Sequence, residues 1–91
     1  MVVSAHAHSY ERFDPQRPDG TLDVGRDIRQ VVVGTGGRAQ HGFGAVEPNS
    51  RVRKAGTPGV LKLILNPASY EWRFVPVAGE TFTDSGTAEC H

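Results

Sequence analysis

Two short runs of alternating residues near the C-terminus constrain the fold of this chain more than any other feature. Within residues 60–65 a leucine occupies every second position, and within residues 70–77 Tyr70, Trp72 and Phe74 alternate with polar and small apolar residues. A period of two places successive side chains on opposite faces of a β-strand. The sequence Asn-Pro-Ala-Ser between the runs is a turn signal. We therefore predict a β-hairpin whose aromatic face is the more buried one.

The remainder of the chain predicts short strands and long loops, and no helix. Residues 1–4 and 28–33 are apolar, β-branched runs typical of buried strands. Residues 14–26 contain two prolines and two glycines, and an irregular stretch extends from residue 34 to Pro58, so both segments are expected to be loops. The predicted fold is mainly β: a small antiparallel sheet built on a C-terminal β-hairpin, with long loops and little or no helix.

Composition excludes several classes of protein. The 91 residues form a single domain or a fragment of one, and ten basic residues balance ten acidic ones. Nucleic-acid binders usually carry a basic stripe, whereas the one basic cluster here, Arg51, Arg53 and Lys54, falls in an expected loop. No apolar run is long enough to span a membrane, and the first residues are not expected to form a signal peptide. The single cysteine, Cys90, excludes an internal disulfide and is expected to be an ordinary thiol on a loose tail.

Two histidines near the N-terminus are the residues that suggest chemistry. If the first strand continues through them, His6 and His8 project from one face, because residues two apart in a strand point the same way. They could chelate one metal ion, or each could bind one ion of a pair about 3.5–4 Å apart. Imidazole favours zinc, iron or manganese over calcium and magnesium. Two ligands are fewer than the roughly three or four that a protein site needs, so two solvated histidines are the alternative.

The residues around these histidines resemble a known family. The sequence Ser-Ala-His-Ala-His-Ser-Tyr-Glu-Arg-Phe at residues 4–13 is similar to the last signature block, Gly-His-x-His followed by Tyr-Glu-Arg, of the calcineurin-like metallophosphoesterases, which include the purple acid phosphatases. Further similarity covers the strand and glycine turn after this block, the closing hairpin, and the C-terminus of many bacterial members: residues 28–37, 59–63, 69–74, 84–86 and Cys90. The resemblance therefore spans nearly the whole chain in order and spacing.

The resemblance implies a fold, a reaction and a set of roles. The family has a four-layer α/β/β/α fold, of which this chain matches the C-terminal part, and it hydrolyses phosphoric esters. His6 would bind one metal ion of the pair and His8 the other, with zinc, iron or manganese in divalent or mixed-valence form. In such enzymes the ions lower the pKa of a bound water and clamp the phosphate. Tyr10, Glu11 and Arg12 would either support the site, through packing and an Arg–Glu contact, or contact the substrate.

The chain also departs from the family pattern at several positions. Ala5 stands where the family has glycine, and a positive φ there would cost about 1–3 kcal/mol. The earlier blocks, Asp-x-His, Gly-Asp and Gly-Asn-His with one further histidine, have no counterpart, and nothing around His41 matches a ligand block. Gly34, Gly36 and Gly37 are expected to form a tight turn, the alternative being backbone that passes close to the site. They are not a phosphate loop, because its Lys and Ser or Thr are missing.

Three hypotheses follow from the resemblance and the missing blocks. The chain is the C-terminal part of a phosphoesterase, inactive alone and binding metal weakly or not at all. Alternatively it is half of a split enzyme that associates with another chain or with copies of itself, or it is a non-catalytic β-module. The expected partner of the parent enzyme is a phosphate ester, and no nucleic-acid or membrane partner is expected. Relatives with this C-terminus are often exported, which leaves the compartment open.

Overall fold

The computed structural model describes residues 1–23, 25, 28–37 and 46–90. Within these residues the chain forms strands and no helix, so the prediction of a mainly β fold with little or no helix is confirmed. No described segment is a helix long and apolar enough to cross a membrane. The strands are β1 (Val2–Ser4), β2 (Tyr10–Phe13), β3 (Gln30–Val33), β4 (Ser50–Lys54), β5 (Gly59–Leu65), β6 (Ser69–Pro76) and β7 (Ser85–Glu89).

The first sheet is mixed and has the strand order β1-β3-β2-β4. Strand β1 runs parallel to β3, with Val3 opposite Val31, whereas β2 is antiparallel to both β3 and β4. Because β3 lies between β1 and β2, the chain that leaves β1 has to cross the end of β3 before it enters β2. No local pattern of residues indicates this parallel pair.

The second sheet contains the predicted hairpin and has the order β5-β6-β7, with all strands antiparallel. The register of β5 and β6 runs from Gly59 opposite Pro76 to Leu65 opposite Tyr70, so the hairpin is confirmed. Pro76 is the last residue of β6 and lies beyond the pairing with β7, which ends at Arg73. The missing amide hydrogen of the proline therefore interrupts no hydrogen bond to β7.

The two sheets meet through one small core. Tyr10 and Val31 from the first sheet and Phe74 from the second are completely buried. The ring centroids of Tyr10 and Phe74 lie 4.8 Å apart. Partly buried apolar side chains surround these three: Met1, Val33, Val52, Leu61 and Phe82. Tyr70 and Trp72 are also buried, which confirms that the aromatic face of the hairpin is the inner one.

The polar strands β4 and β7 were not predicted. Residues 50–54 were expected in a loop, but they form β4, which pairs with β2 through Val52 and Arg12. Strand β7 has no alternating apolar residues and forms along the edge of β6. These strands depend on a neighbouring strand rather than on their own apolar pattern, so tertiary context decided them. In the described part of residues 14–26, Gln16 makes isolated bridges to Leu22 and Ile28.

The inner face of the hairpin predicts a specific loss of stability. We expect Phe74→Ala to lower the free energy of unfolding by about 3–5 kcal/mol, because it removes a completely buried ring from the sheet interface. Urea denaturation followed by the fluorescence of Trp72 measures this change. Val60→Ala is the matched control, since Val60 is 60 % exposed on the opposite face and should change stability by less than about 0.5 kcal/mol. Equal losses in the two variants would contradict the assigned core.

Candidate functional site

The two candidate metal ligands lie in the segment that joins β1 to β2. We call residues 5–9 the histidine loop. Because β1 and β3 are parallel, their carboxyl ends meet at the same edge of the sheet, and the histidine loop and the turn after β3 therefore lie side by side. In open α/β sheets, ligands bind outside the carboxyl ends of the parallel strands.

The backbone of the histidine loop is bent rather than extended. Strand β1 ends at Ser4, residues 6–9 form bends, and His6 has a φ of 81°. The prediction that His6 and His8 project from one face of a continuous strand is therefore wrong. Ala5 does not carry the positive φ considered above, because among the described residues other than glycine this conformation occurs at His6 and Asn49. The backbone strain falls on a candidate ligand, at a usual cost of about 1–3 kcal/mol.

Gly34 allows the histidine loop to cross the end of β3. A Cβ at Gly34 would lie 1.9 Å from the carbonyl oxygen of Ala7, a distance at which two atoms cannot coexist. The amide of Gly34 donates to the carbonyl of Ser9 at 3.0 Å, and the amide of Ser9 donates to that of Ala7 at 2.8 Å. The expectation of a simple tight turn is thus incomplete. Gly37, with a φ of 122°, fits a turn, but Gly34 is required by close backbone approach.

The same turn is fixed to the second sheet. Thr35 is 1 % exposed, and its hydroxyl donates to the carbonyl of Gly59 at 2.8 Å. The amide of Gly59 donates back to the carbonyl of Thr35 at 3.0 Å. This reciprocal pair connects the loop that supports the histidines to the first residue of β5.

A buried carboxylate, Asp84, fixes the start of β2 directly after the histidine loop. The hydroxyl of Tyr10 donates to Asp84 Oδ2 at 2.6 Å. Arg12 binds both carboxylate oxygens, with Nε 2.6 Å from Oδ2 and Nη2 3.1 Å from Oδ1. Trp72 Nε1 donates to Oδ2 at 3.3 Å. We call Tyr10, Arg12, Trp72 and Asp84 the Asp84 cluster; it joins β2 of the first sheet to β6 of the second.

Two guanidinium groups lie over the indole ring of this cluster. The Cζ atoms of Arg12 and Arg29 are 5.2 and 4.7 Å from the ring centroid of Trp72. Cation–π contacts of this kind are attractive, and more so where water is excluded. The Nε of Arg29 is buried without a hydrogen-bond partner. This side chain is held by the ring, by a 3.5 Å hydrogen bond from Nη1 to the carbonyl of Phe13 and by an ion pair with Asp14 at 3.9 Å.

The environment of the cluster shifts three pKa values. Burial by itself would raise the pKa of Asp84, but the hydrogen bonds from Arg12 and Tyr10 outweigh it and hold that pKa below its usual range. Burial, reinforced by the Asp84 carboxylate, raises the pKa of Tyr10 far above 10. Burial would lower the pKa of Arg12, but Asp84 raises it above its usual value. At neutral pH the cluster therefore holds a carboxylate, a guanidinium and a neutral phenol.

Glu11 belongs to the opposite face of β2. Its carboxylate accepts a hydrogen bond from the hydroxyl of Ser50, and it lies opposite Arg53 in the register of β2 and β4. Arg12 binds Asp84, whereas the sequence suggested an Arg–Glu contact. Residues 84–86 were noted only as part of the resemblance. Asp84 itself was missed, because its partners Tyr10 and Arg12 are 74 and 72 positions away and no local pattern marks such a contact.

The described residues do not fit a complete dinuclear metal centre. His6 is exposed and His8 is partly buried. In the part of the chain that the structure describes, no three His, Cys, Asp or Glu side chains are grouped so that they could hold a metal ion. Cys90 is exposed, and His41 lies outside the described residues. The loop therefore offers two imidazoles, and further ligands would have to come from elsewhere.

Because the histidine loop passes so close to Gly34, we predict that its position is sensitive to one added methyl group at residue 34. We expect Gly34→Ala to displace the histidine loop, because the added Cβ would overlap the carbonyl oxygen of Ala7. The imidazole resonances of His6 and His8 should shift in a carbon–proton NMR spectrum, and the urea midpoint should fall. Gly36→Ala is the matched control, since a Cβ there meets nothing within 4 Å. If both variants leave the imidazole resonances unchanged, Gly34 does not position the loop.

The lowered pKa of Asp84 predicts a stability that depends on pH. Its contribution is fully present above the unfolded pKa of about 3.9 and is lost as the pH falls through the lower folded pKa. Asp84→Asn should lower the free energy of unfolding at pH 7 by about 3–5 kcal/mol, the usual cost of removing one partner of a buried ion pair. Urea denaturation at a series of pH values should show this difference shrinking below about pH 4.

The control for this measurement is Glu80→Gln, which neutralises an exposed carboxylate without disturbing the cluster. A difference between wild type and Asp84→Asn that stayed constant down to about pH 3 would contradict the role of the ionised carboxylate.

Comparisons with known proteins found no relative of this chain. No protein family, no curated protein and no solved structure matches the chain.

Proposed function

We propose that residues 1–91 are the C-terminal part of a dinuclear-metal-dependent phosphoesterase, and that this chain alone does not turn over a phosphate ester. The observation that carries the proposal is the strained backbone of His6, which lies in the block that resembles the family's Gly-His-x-His and at the carboxyl edge of the parallel pair β1 and β3. Strained residues are enriched at functional sites, and they persist where the surrounding structure holds them in place.

The supports around the histidine loop are consistent with a ligand segment that is held in place before metal binds. Gly34 contacts the loop at Ala7, and the Asp84 cluster fixes Tyr10, two residues after His8. Ligands that are already positioned lose less entropy when a metal binds, and outer contacts of this kind orient them. Tyr10 and Arg12 are engaged by Asp84, so we assign them to support rather than to substrate contact.

The number of ligands restricts the proposal. A metal site needs about three or four protein ligands, and the loop offers His6 and His8. We therefore assign one imidazole to each of two ions, which are zinc, iron or manganese. The remaining ligands are assigned to a polypeptide segment that carries the Asp-x-His, Gly-Asp and Gly-Asn-His blocks. No catalytic step is assigned to a residue of this chain.

One observation favours the second candidate, half of a split enzyme that associates with another chain. Val2 and Val3 point to opposite faces of β1 and are 48 % and 44 % exposed. Parallel strands are usually covered on both faces, so an apolar parallel strand at a sheet edge is suited to pairing with a further strand. In this version the partner that pairs with β1 also supplies the missing ligands.

Complementation tests the proposed function directly. The chain is mixed with a polypeptide that carries the four missing ligand blocks, and hydrolysis of p-nitrophenyl phosphate and bis(p-nitrophenyl) phosphate is measured with Mn²⁺ or Zn²⁺. We expect activity in the mixture and none in either component. His6→Ala and His8→Ala should each reduce this activity by about 100-fold or more, because removing a direct ligand costs more than losing an outer contact.

Cys90→Ala is the control, since it removes an exposed potential ligand outside the histidine loop and should leave activity unchanged. Calorimetric titration of Zn²⁺ and Mn²⁺ into the chain alone should give weak binding at most. Hydrolysis by the chain alone, or complementation that survives both histidine substitutions, would contradict the proposal. The chain alone could also bind about two ions tightly, with binding lost in the double histidine variant. That result would contradict the assignment of the other ligands to a separate polypeptide segment.

A further inference from the structure

A groove of about 450 Å³ lies on the outer face of the second sheet, away from the core. Its floor is formed by side chains of β5, β6 and β7 that alternate with the buried aromatic residues Tyr70, Trp72 and Phe74. The size is within the range of pockets that hold small organic ligands. Trp72 of the Asp84 cluster and Gly86 also line the groove, whereas none of the lining residues belongs to the histidine loop.

A row of hydrogen-bond donors crosses this groove from strand to strand. Lys62 on β5 lies directly opposite Arg73 on β6, and Arg73 lies opposite Ser85 on β7. Side chains directly opposite in antiparallel strands have Cβ atoms about 4.5–5.5 Å apart, so like charges in this arrangement repel. We call Lys62, Arg73 and Ser85 the donor row.

No carboxylate of the described residues forms an ion pair with the cations of the donor row. Among the residues that the structure describes, the ion pairs within 4.0 Å involve Arg12, Arg17 and Arg29, and no carboxylate lies that close to Lys62 or Arg73. Two adjacent cations without a counter-ion favour binding of an anion, which removes their mutual repulsion and adds attraction.

The hydroxyl groups around the row differ in what they can donate. Thr83 donates to the carbonyl of Phe74 at 2.7 Å and Thr87 donates to that of Tyr70 at 3.2 Å, so both protons are engaged by the backbone. In the described part of the chain the hydroxyl of Ser85 has no such acceptor. Lys62, Arg73 and Ser85 therefore present donors from three strands, which suits the three acceptor oxygens of a phosphate monoester better than the two of a carboxylate.

The side chains beside the donor row indicate which chemical groups the rest of the ligand should carry. Ile64 lies opposite Glu71, and Glu71 lies opposite Thr87. Ile64 is 42 % exposed and offers an apolar surface, whereas Glu71 repels a second anion. A ligand with one phosphate on the donor row and an apolar body beside it would satisfy both rows.

We propose that this groove binds a small phosphate monoester, with the phosphate on Lys62, Arg73 and Ser85 and the apolar part of the ligand against Ile64. The site needs no metal ion and stands apart from the histidine loop. Its existence is therefore independent of the proposed phosphoesterase function.

Nitrogen–proton NMR titration of the whole chain in the presence of a chelator tests the site. Phenyl phosphate should give saturable shifts in the backbone amides of the three strands around the donor row, and inorganic phosphate should bind more weakly because it cannot contact Ile64. Added sodium chloride should weaken both, since salt screens exposed charges. A His6→Ala, His8→Ala variant should bind phenyl phosphate like the wild type, which distinguishes this site from the histidine loop.

Four charge variants make the assignment falsifiable. Lys62→Gln and Arg73→Gln should each weaken binding of phenyl phosphate about twofold to fivefold, the range expected for exposed ion pairs. Glu71→Gln should strengthen it about twofold, because it removes the one carboxylate that lines the groove. Arg51→Gln on β4 removes an exposed cation elsewhere and should have no effect. All four substitutions are at exposed positions, and the dispersion of the spectrum shows that each variant is folded.

Three results would overturn the proposal. Absence of saturable shifts would exclude a site, and equal weakening in Arg51→Gln and Arg73→Gln would show attraction to net charge alone. Equal affinity for inorganic phosphate and phenyl phosphate would exclude the apolar contact to Ile64 and with it the assignment of a monoester.

Discussion

The arrangement of the two sheets depends on the hydrogen bonds that the carboxylate of Asp84 accepts. It accepts hydrogen bonds from Tyr10 and Arg12 of the first sheet and from Trp72 of the second, at distances from 2.6 to 3.3 Å. A core with so few completely buried side chains gains little from apolar burial alone. A buried carboxylate whose oxygens are paired adds a directional constraint. If a partner lost its contact with the carboxylate, a buried hydrogen-bond donor would remain without an acceptor.

The strand order of the first sheet explains why the histidine loop is strained. With β3 between β1 and β2, the loop has to cross the carboxyl end of β3 at short range. The crossing requires a position without a side chain, which Gly34 provides, and a sharp change of direction, which His6 provides with its positive φ. The Asp84 cluster then fixes the chain again at Tyr10. The strain at His6 is thus a consequence of topology that the surrounding contacts maintain.

The two faces of the second sheet serve different purposes. Its inner face carries Trp72 and Phe74, which pack against the first sheet and complete the support of the histidine loop. Its outer face carries Lys62 and Arg73, which make no contribution to the core and would repel each other without an anion. Because alternate residues of one strand serve both faces, the same pairing register that forms the core also assembles the donor row.

The sequence by itself determined the hairpin of β5 and β6, the burial of its aromatic face and the absence of helix among the described residues, because these follow from local alternation and turn residues. It also singled out His6, His8, Tyr10, Glu11 and Arg12. Only the tertiary structure decided that β1 pairs in parallel with β3, that polar β4 and β7 are strands, and that Asp84 is the partner of Arg12. Those features join residues up to 74 positions apart, and a periodicity that extends over a few residues carries no information about such contacts.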